Sequence, residues 1–431
     1  MKRNMIRLIL ILSAVAQSTW SQKLIENPLL DSLVAEALVR NPGYGESLRQ
    51  ARSAMFRVSP AGALPDPMAM IELQGPTNNS WVRETMASPA VSVGLSQMIP
   101  FPGKQGEARK SALRGAQAMT SESRAYAQEL AMTIKMAYFE LAYWRQSLLL
   151  IEQNIALLDD LETVVREKYR TGTAMQIEVL QAQTSRVQLE NMKLMAEQMI
   201  SESTARMAQL INVRQLPEIR AAFADDELVS IDTTALFAAL ENQSPEIQKM
   251  QHEIEMRQSM LKMAKLEYWP DFTIGASYGF RWKDEMMADP GTDMFMVSLG
   301  FNLPLWGAWK QKNLVSSARA EVNASELGLQ QMKNELRFQL KKAVFEYGRY
   351  RAQYALYEDR LIPQTLSKIE SARAAYQVGS VEFMDVIMAQ MELNETQISA
   401  KKAFADAMTS LATIEMLIGT AAPVNSGNNE N

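Results

Sequence analysis

Few residues in this chain have the types and spacing to do chemistry, and most of them fail on context. Gly275-Ala276-Ser277-Tyr278-Gly279 has the spacing that presents a hydrolase nucleophile. That motif needs a strand, a sharp turn, a helix and a later histidine. Here it lies inside an alternating apolar and small-residue run, and the one histidine, His252, precedes it. Gly103-Lys104 opens a helical pattern but lacks the upstream glycine and the following Ser or Thr of a phosphate-binding loop. Methionines cluster at Met192, Met195 and Met199 and at Met256, Met260 and Met263. Thioethers favour soft monovalent copper or silver, but methionine is also a common filler of irregular helical seams, and filler is the preferred reading. No catalytic residue, cofactor site or metal site is expected, and no enzyme.

A second set of polar residues occurs twice. Tyr169-Arg170-Thr171-Gly172-Thr173 precedes Glu178-Val179-Leu180-Gln181-Ala182-Gln183, and Tyr376-Gln377-Val378-Gly379-Ser380 precedes Asp385-Val386-Ile387-Met388-Ala389-Gln390. Each copy joins two long helical patterns, with glycine where a helix end commonly turns left-handed. Each is therefore the tip of a helical hairpin, with a carboxylate in the first turn of the return helix.

The elements that carry these tips also come twice, about 205 residues apart. Residues 1–16 form a signal peptide: Lys2, Arg3 and Arg7 precede the short apolar run Leu8 to Leu12, and Ala14 and Ala16 suit a peptidase. The first repeat spans 17–215, with strands at 68–74 and 90–98 and a helical hairpin over 104–212. A linker or equatorial region covers 216–240. The second repeat spans 241–420, with strands at 271–282 and 294–303 and a hairpin over 309–418. A disordered tail is expected over 421–431. Between Lys104 and Arg170 there is no proline. A continuous helix there would be on the order of 100 Å long, more than a compact domain can use. In the later hairpin a seam runs from Val315 through Val322, Leu329, Leu336, Ala343, Tyr350 and Tyr357 to Leu361 in steps of three and four, which is coiled-coil spacing. Pro363 should kink that helix.

Composition narrows the class further. The net charge is −5 with no basic face, so no nucleic-acid partner is expected. Cysteine is absent, which excludes disulfides and thiolate metal sites. No segment after the signal has the ~20 apolar residues of a spanning helix. Any membrane span must then be made of strands. The four strands each have an apolar face and a small or polar face, which suits a wall between lipid and water. Four strands cannot close, because a barrel needs about eight, and open edges in lipid are costly. Copies of the chain must complete the wall, and three would supply twelve strands and a twelve-helix tube. Trp81, Phe101, Trp269, Trp282 and Trp306 near the strand ends suit interfacial girdles.

This order, with its Pro100-Phe101-Pro102-Gly103-Lys104 and Pro304-Leu305-Trp306-Gly307 junctions and its Tyr-x-x-Gly tips, resembles the TolC-like outer-membrane efflux proteins, most nearly the heavy-metal branch. The resemblance implies a mainly α chain with a small β part. In it, a homotrimer forms a 12-stranded β-barrel in the outer membrane of a Gram-negative bacterium, continued by a long periplasmic α-helical barrel. It implies an exit duct docked to a periplasmic adaptor and an inner-membrane pump of the RND type, passing metal cations or drugs. Carried over by position, Asp385 lines the tunnel entrance, Met388 replaces a second carboxylate, and Glu178 and Tyr376 help hold the entrance closed. Val381 stands where a locking arginine would be. The tips Arg170, Thr171, Gly172 and Thr173, with Gln377, Val378, Gly379 and Ser380, are the implied adaptor-docking surface. A three-fold ring of Asp385 would favour cations; alternatively Asp385 and Glu178 serve only their own helix starts. Peptide or protein secretion through such a duct, and a pore-less coiled-coil scaffold or adhesin, are the competing functions.

Overall fold

The computed structural model describes residues 24–25, 27–74, 90–216, 228–282 and 291–422. The expected signal peptide, the loop with Trp81, much of the linker and the end of the tail lie outside them. In chain order the elements are α1 (Pro28–Arg40), α2 (Pro42–Phe56), α3 (Val58–Ala61), β1 (Met68–Gln74), β2 (Ala90–Ile99), α4 (Lys104–Arg170), α5 (Gln176–Ile211), α6 (Thr233–Gln243), α7 (Pro245–Leu266), β3 (Phe272–Arg281), β4 (Met294–Phe301), α8 (Lys312–Leu356), α9 (Ile362–Gln377) and α10 (Phe383–Ile418). The chain divides into two compact units. One takes the residues up to Leu48, Glu122–Ile247 and everything from Met332; the other takes Arg49–Ser121 and Gln248–Gln331.

The second unit holds one antiparallel sheet in the order β1-β2-β3-β4. Its register places Gly94 opposite both Met70 and Ser277, and Ser277 opposite Met296. Alternation then sorts the faces as the strand period requires. Ser92, Gly94, Ser96, Gly275, Ser277, Gly279 and Ser298 line a concavity of about 310 Å³. The other face presents Ile71, Leu73, Val93, Phe295, Val297 and Leu299, all exposed in the single chain. The Ser277 motif lies in mid-strand, as its alternation requires.

One corner of this sheet is held by charge. Lys104 Nζ lies 2.8 and 3.0 Å from the two Asp271 oxygens and 3.2 Å from Glu267, while the Phe101 amide donates to Asp271 Oδ1 at 2.7 Å. Burial alone would raise the Asp271 carboxyl, but the bonds from Lys104 and the Phe101 amide outweigh it and hold it below the usual carboxylate range. Above the pair, the Phe101 and Trp269 rings stack at 5.1 Å. Lys104 is thus a structural cation at a helix start.

In the first unit the long helices pack along stripes. Ile151, Leu158 and Val165 of α4 meet Ala182, Leu189 and Ala196 of α5 and Phe383 and Ile387 of α10 in one core cluster. Met192 packs against this cluster, whereas Met195 and Met260 are exposed and fill no seam within the chain. In the second unit, the Met256 sulfur lies over Gly115, where a β-carbon would come within 3.2 Å. Every seam position named above on the later hairpin is sheltered. Two polar sets interrupt the apolar packing. Asn154 donates to Asn394 at 2.9 Å and accepts from Gln390 at 2.7 Å, tying α4 to α10. Lys135 Nζ and Glu415 Oε2, both fully buried, are 2.5 Å apart, and Glu415 Oε1 accepts the Leu24 and Ile25 amides at 2.7 and 3.0 Å.

Three expectations need correction. The region 216–240 is not linker throughout: Asp232 caps α6, accepting from the Thr234 amide at 2.9 Å. The tail does not begin at 421, because Ala421 and Ala422 are buried and the Ala422 amide donates to Gln128 at 2.9 Å. Pro363 lies just past an irregular turn in its helix. The chain widens into a π turn over Tyr357–Leu361 before it, with the Ile362 amide reaching the Tyr357 carbonyl. A proline ring clashes with the carbonyl four residues back, and the wider turn makes room. A second π turn, Gly307–Gln311, delays the regular helix expected from 309 until Lys312.

Candidate functional site

The two hairpin tips are built alike. Gly172 and Gly379 have φ of 78° and 73°, and the residues after them, Thr173 and Ser380, donate to the Lys168 and Ala375 carbonyls at 2.8 and 2.9 Å. A left-handed residue followed by a bond reaching five residues back is the usual way to satisfy the last carbonyls of a helix. The same geometry puts Arg170, Thr171, Gly172 and Thr173 and Gln377, Val378, Gly379 and Ser380 on the surface. Val378, an apolar residue, is 78% exposed there.

Behind the tips the two hairpins are clasped together. Tyr376 Oη on α9 donates to Glu178 Oε2 on α5 at 2.7 Å. Its ring lies 5.4 Å from Phe383 of α10, and Lys168 Nζ, at the end of α4, lies 4.2 Å above it. Burial raises the Tyr376 hydroxyl far above the ordinary tyrosine value, and the adjacent Glu178 charge raises it further. Four helices therefore meet on one phenol. Position carried over from the resemblance brings Glu178 and Tyr376 together; Lys168 it did not single out. Its signal was available, since Lys168 stands seven residues before Met175, in the last turn of the helix that ends at the first tip, but spacing alone cannot show a contact between hairpins.

Asp385 and Met388 lie one turn apart on the exposed face of α10, away from the clasp. Asp385 Oδ2 accepts the Glu382 amide at 3.1 Å, and the Met175 amide reaches Glu178 Oε1 at 3.4 Å. Both carboxylates thus satisfy a helix start. Met388 also borders a groove between α5 and α10 with Leu180, Met384 and Met391. Among the described residues no group of His, Cys, Asp and Glu could hold a metal ion, and no helix is long and apolar enough to cross a membrane.

Comparison places this arrangement. The chain is similar in structure to CusC, with a TM-score of 0.81, 16% identity and coverage of 93% of this chain and 94% of that one. It is similar to the outer-membrane channel OprN, with a TM-score of 0.78, 14% identity and coverage of 94% and 92%. It is also similar to the outer membrane protein VceC of Vibrio cholerae, with a TM-score of 0.75, 18% identity and coverage of 91% and 96%. These likenesses show the TolC-like fold. No curated protein sequence matches significantly. The model of the outer membrane efflux protein family matches residues 46–213 and 236–420. The chain belongs to the outer membrane efflux protein family.

Proposed function

We propose that three copies of this chain form an exit duct through the outer membrane of a Gram-negative cell. The observation that carries this is the sheet, which among the described residues ends in two edge strands and leaves its apolar face exposed. Burying that face in lipid is favourable, while open edges there leave several kcal/mol unmet per backbone group. Closing with two further copies removes both problems and gives twelve strands, enough for a lumen. The serine and glycine face then lines water.

The duct works passively at the end of a tripartite pump. An inner-membrane transporter of the RND type supplies the energy, and a periplasmic adaptor seats on the exposed tips at 170–173 and 377–380. The Tyr376-Glu178 clasp holds the α9–α10 hairpin in its resting position, and Asp385, on its exposed face, forms a three-fold anionic ring at the entrance. Such a ring favours cations, so metal cations or cationic drugs are the proposed cargo.

Single-channel recording of the purified protein in planar bilayers tests the reading, together with its mass in detergent. A trimer with discrete, cation-selective conductance is expected. A monomer, or a trimer that passes no current under any voltage or in clasp variants, would refute it. Resistance profiling of a deletion strain against metals, drugs and secreted peptides separates efflux from secretion.

A further inference from the structure

The β2–β3 contact inside one chain is a template for the contact between chains. Pro100 and Gly103 recur 204 residues later as Pro304 and Gly307, after β2 and β4 respectively; Pro65-Asp66 recurs 205 residues later as Pro270-Asp271, before β1 and β3. The strand β4 is therefore the counterpart of β2, and β1 of β3. Within the chain β2 pairs with β3, but β4 and β1 are the two free edges of the sheet. We propose that β4 of one copy pairs with β1 of the next in the register that β2 and β3 already show, which rests on the trimeric reading above.

Transferring the pairs fixes the seam residue by residue. Gly94 lies opposite Ser277, and their counterparts are Ser298 and Glu72. Val93 lies opposite Tyr278, giving Val297 opposite Leu73. Leu95 lies opposite Ala276, giving Leu299 opposite Ile71. An independent check supports the offsets. Strand side chains alternate, so a slip of one residue would set an apolar side chain against a polar one. In the transferred register Ser298 and Glu72, which line the same concavity, fall together on the water side. Val297 and Leu73, both exposed on the opposite face, fall together on the lipid side.

The corner transfers too. The Phe101–Trp269 stack becomes Leu305 over Leu64, two residues that are 74% and 52% exposed in the single chain. Lys104 becomes Ala308, so the seam between copies lacks the ion pair that holds the corner within each copy.

The chain contains no cysteine, so paired substitutions report this register without background. The edges β1 and β4 of one sheet are separated by three strand spacings, roughly 14 Å, beyond the span of a disulfide. Any bond formed between them must join two copies. Ser298→Cys with Glu72→Cys, and separately Val297→Cys with Leu73→Cys on the other face, are oxidised in outer membranes and run without reductant. Both pairs are expected to give covalent dimers and trimers that reductant collapses. Slipped pairs, Ser298→Cys with Met70→Cys or with Gln74→Cys, are expected to stay monomeric on the gel. Cross-linking in a slipped pair, or in neither predicted pair while the native mass remains trimeric, overturns the register and leaves the trimer standing. A monomeric native mass overturns the trimer and the register with it.

Discussion

Replacing Tyr376 by Phe removes one oxygen from the clasp and little else. The ring stays, and with it the packing on Phe383 and the Lys168 ammonium 4.2 Å above. What is lost is the 2.7 Å bond to Glu178. A hydrogen bond to a charged acceptor is worth ~1.5–3 kcal/mol when sheltered, and both partners here are half-buried, so about 1 kcal/mol per chain is a fair allowance after solvent screening. In a trimer that opens as one body the loss is about 3 kcal/mol, a shift of roughly a hundredfold in the ratio of open to closed channels. Open probability in planar bilayers reads this directly, and entry of a large antibiotic into cells reads it in vivo. The bond's pH dependence has a definite sign. Because the Tyr376 hydroxyl is raised, its contribution is complete below the ordinary tyrosine pKa and fades only as pH rises through the raised value. The difference between wild type and Tyr376→Phe should therefore be constant from neutral pH up to about pH 9. A Tyr376→Phe trimer with unchanged open probability would show that this bond does not hold the entrance.

Four further outcomes follow from the structure. Glu415→Leu leaves the fully buried Lys135 cation and two backbone amides without their acceptor, which should cost roughly 3–5 kcal/mol; thermal unfolding in detergent measures it, and adding Lys135→Met should restore much of the loss. Asp385→Ala should leave the trimer intact while lowering cation selectivity and blockade by multivalent cations, measured as reversal potential and current. Gly379→Val places a β-branched residue at φ 73°, a local strain of about 1–2 kcal/mol; trimer yield should be unchanged and resistance lost, measured as the inhibitory concentration of a pump substrate. Asp271 is held below the ordinary carboxylate range, so its stabilising contribution is present above the unfolded carboxylate pKa and is lost as pH falls through the lowered one; the acid-side decline in melting temperature should be shallower in Asp271→Asn.

Most of the fold was legible because the elements are long and sharply punctuated. The span Lys104–Arg170 could be read to its ends, since Pro102-Gly103 starts it and Gly172 stops it. The strands announced themselves by alternation, Phe272 to Arg281 most clearly. What stayed hidden depended on contacts across hundreds of residues. Lys135 sits one residue after Ile134 in an apolar stripe, and no local pattern shows that Glu415 waits opposite it. The π turn before Pro363 was hidden for another reason: proline's clash can be relieved by bending or by widening, and local sequence does not choose between them.

The clasp joins both kinds of information. The resemblance singles out Glu178 and Tyr376 on two hairpins, and leaves Val381 as a gap where it implies a cation. In the structure the cation near Tyr376 comes from the opposite hairpin, as Lys168 at the end of α4. Its backbone carbonyl accepts the Thr173 and Ala174 amides at 2.8 and 3.3 Å, so the turn that exposes the first tip also positions the ammonium. A partner pressing on that tip would move Lys168 relative to the Tyr376 ring. On the proposed reading, docking at that tip and release of the clasp would be connected through the Lys168 main chain.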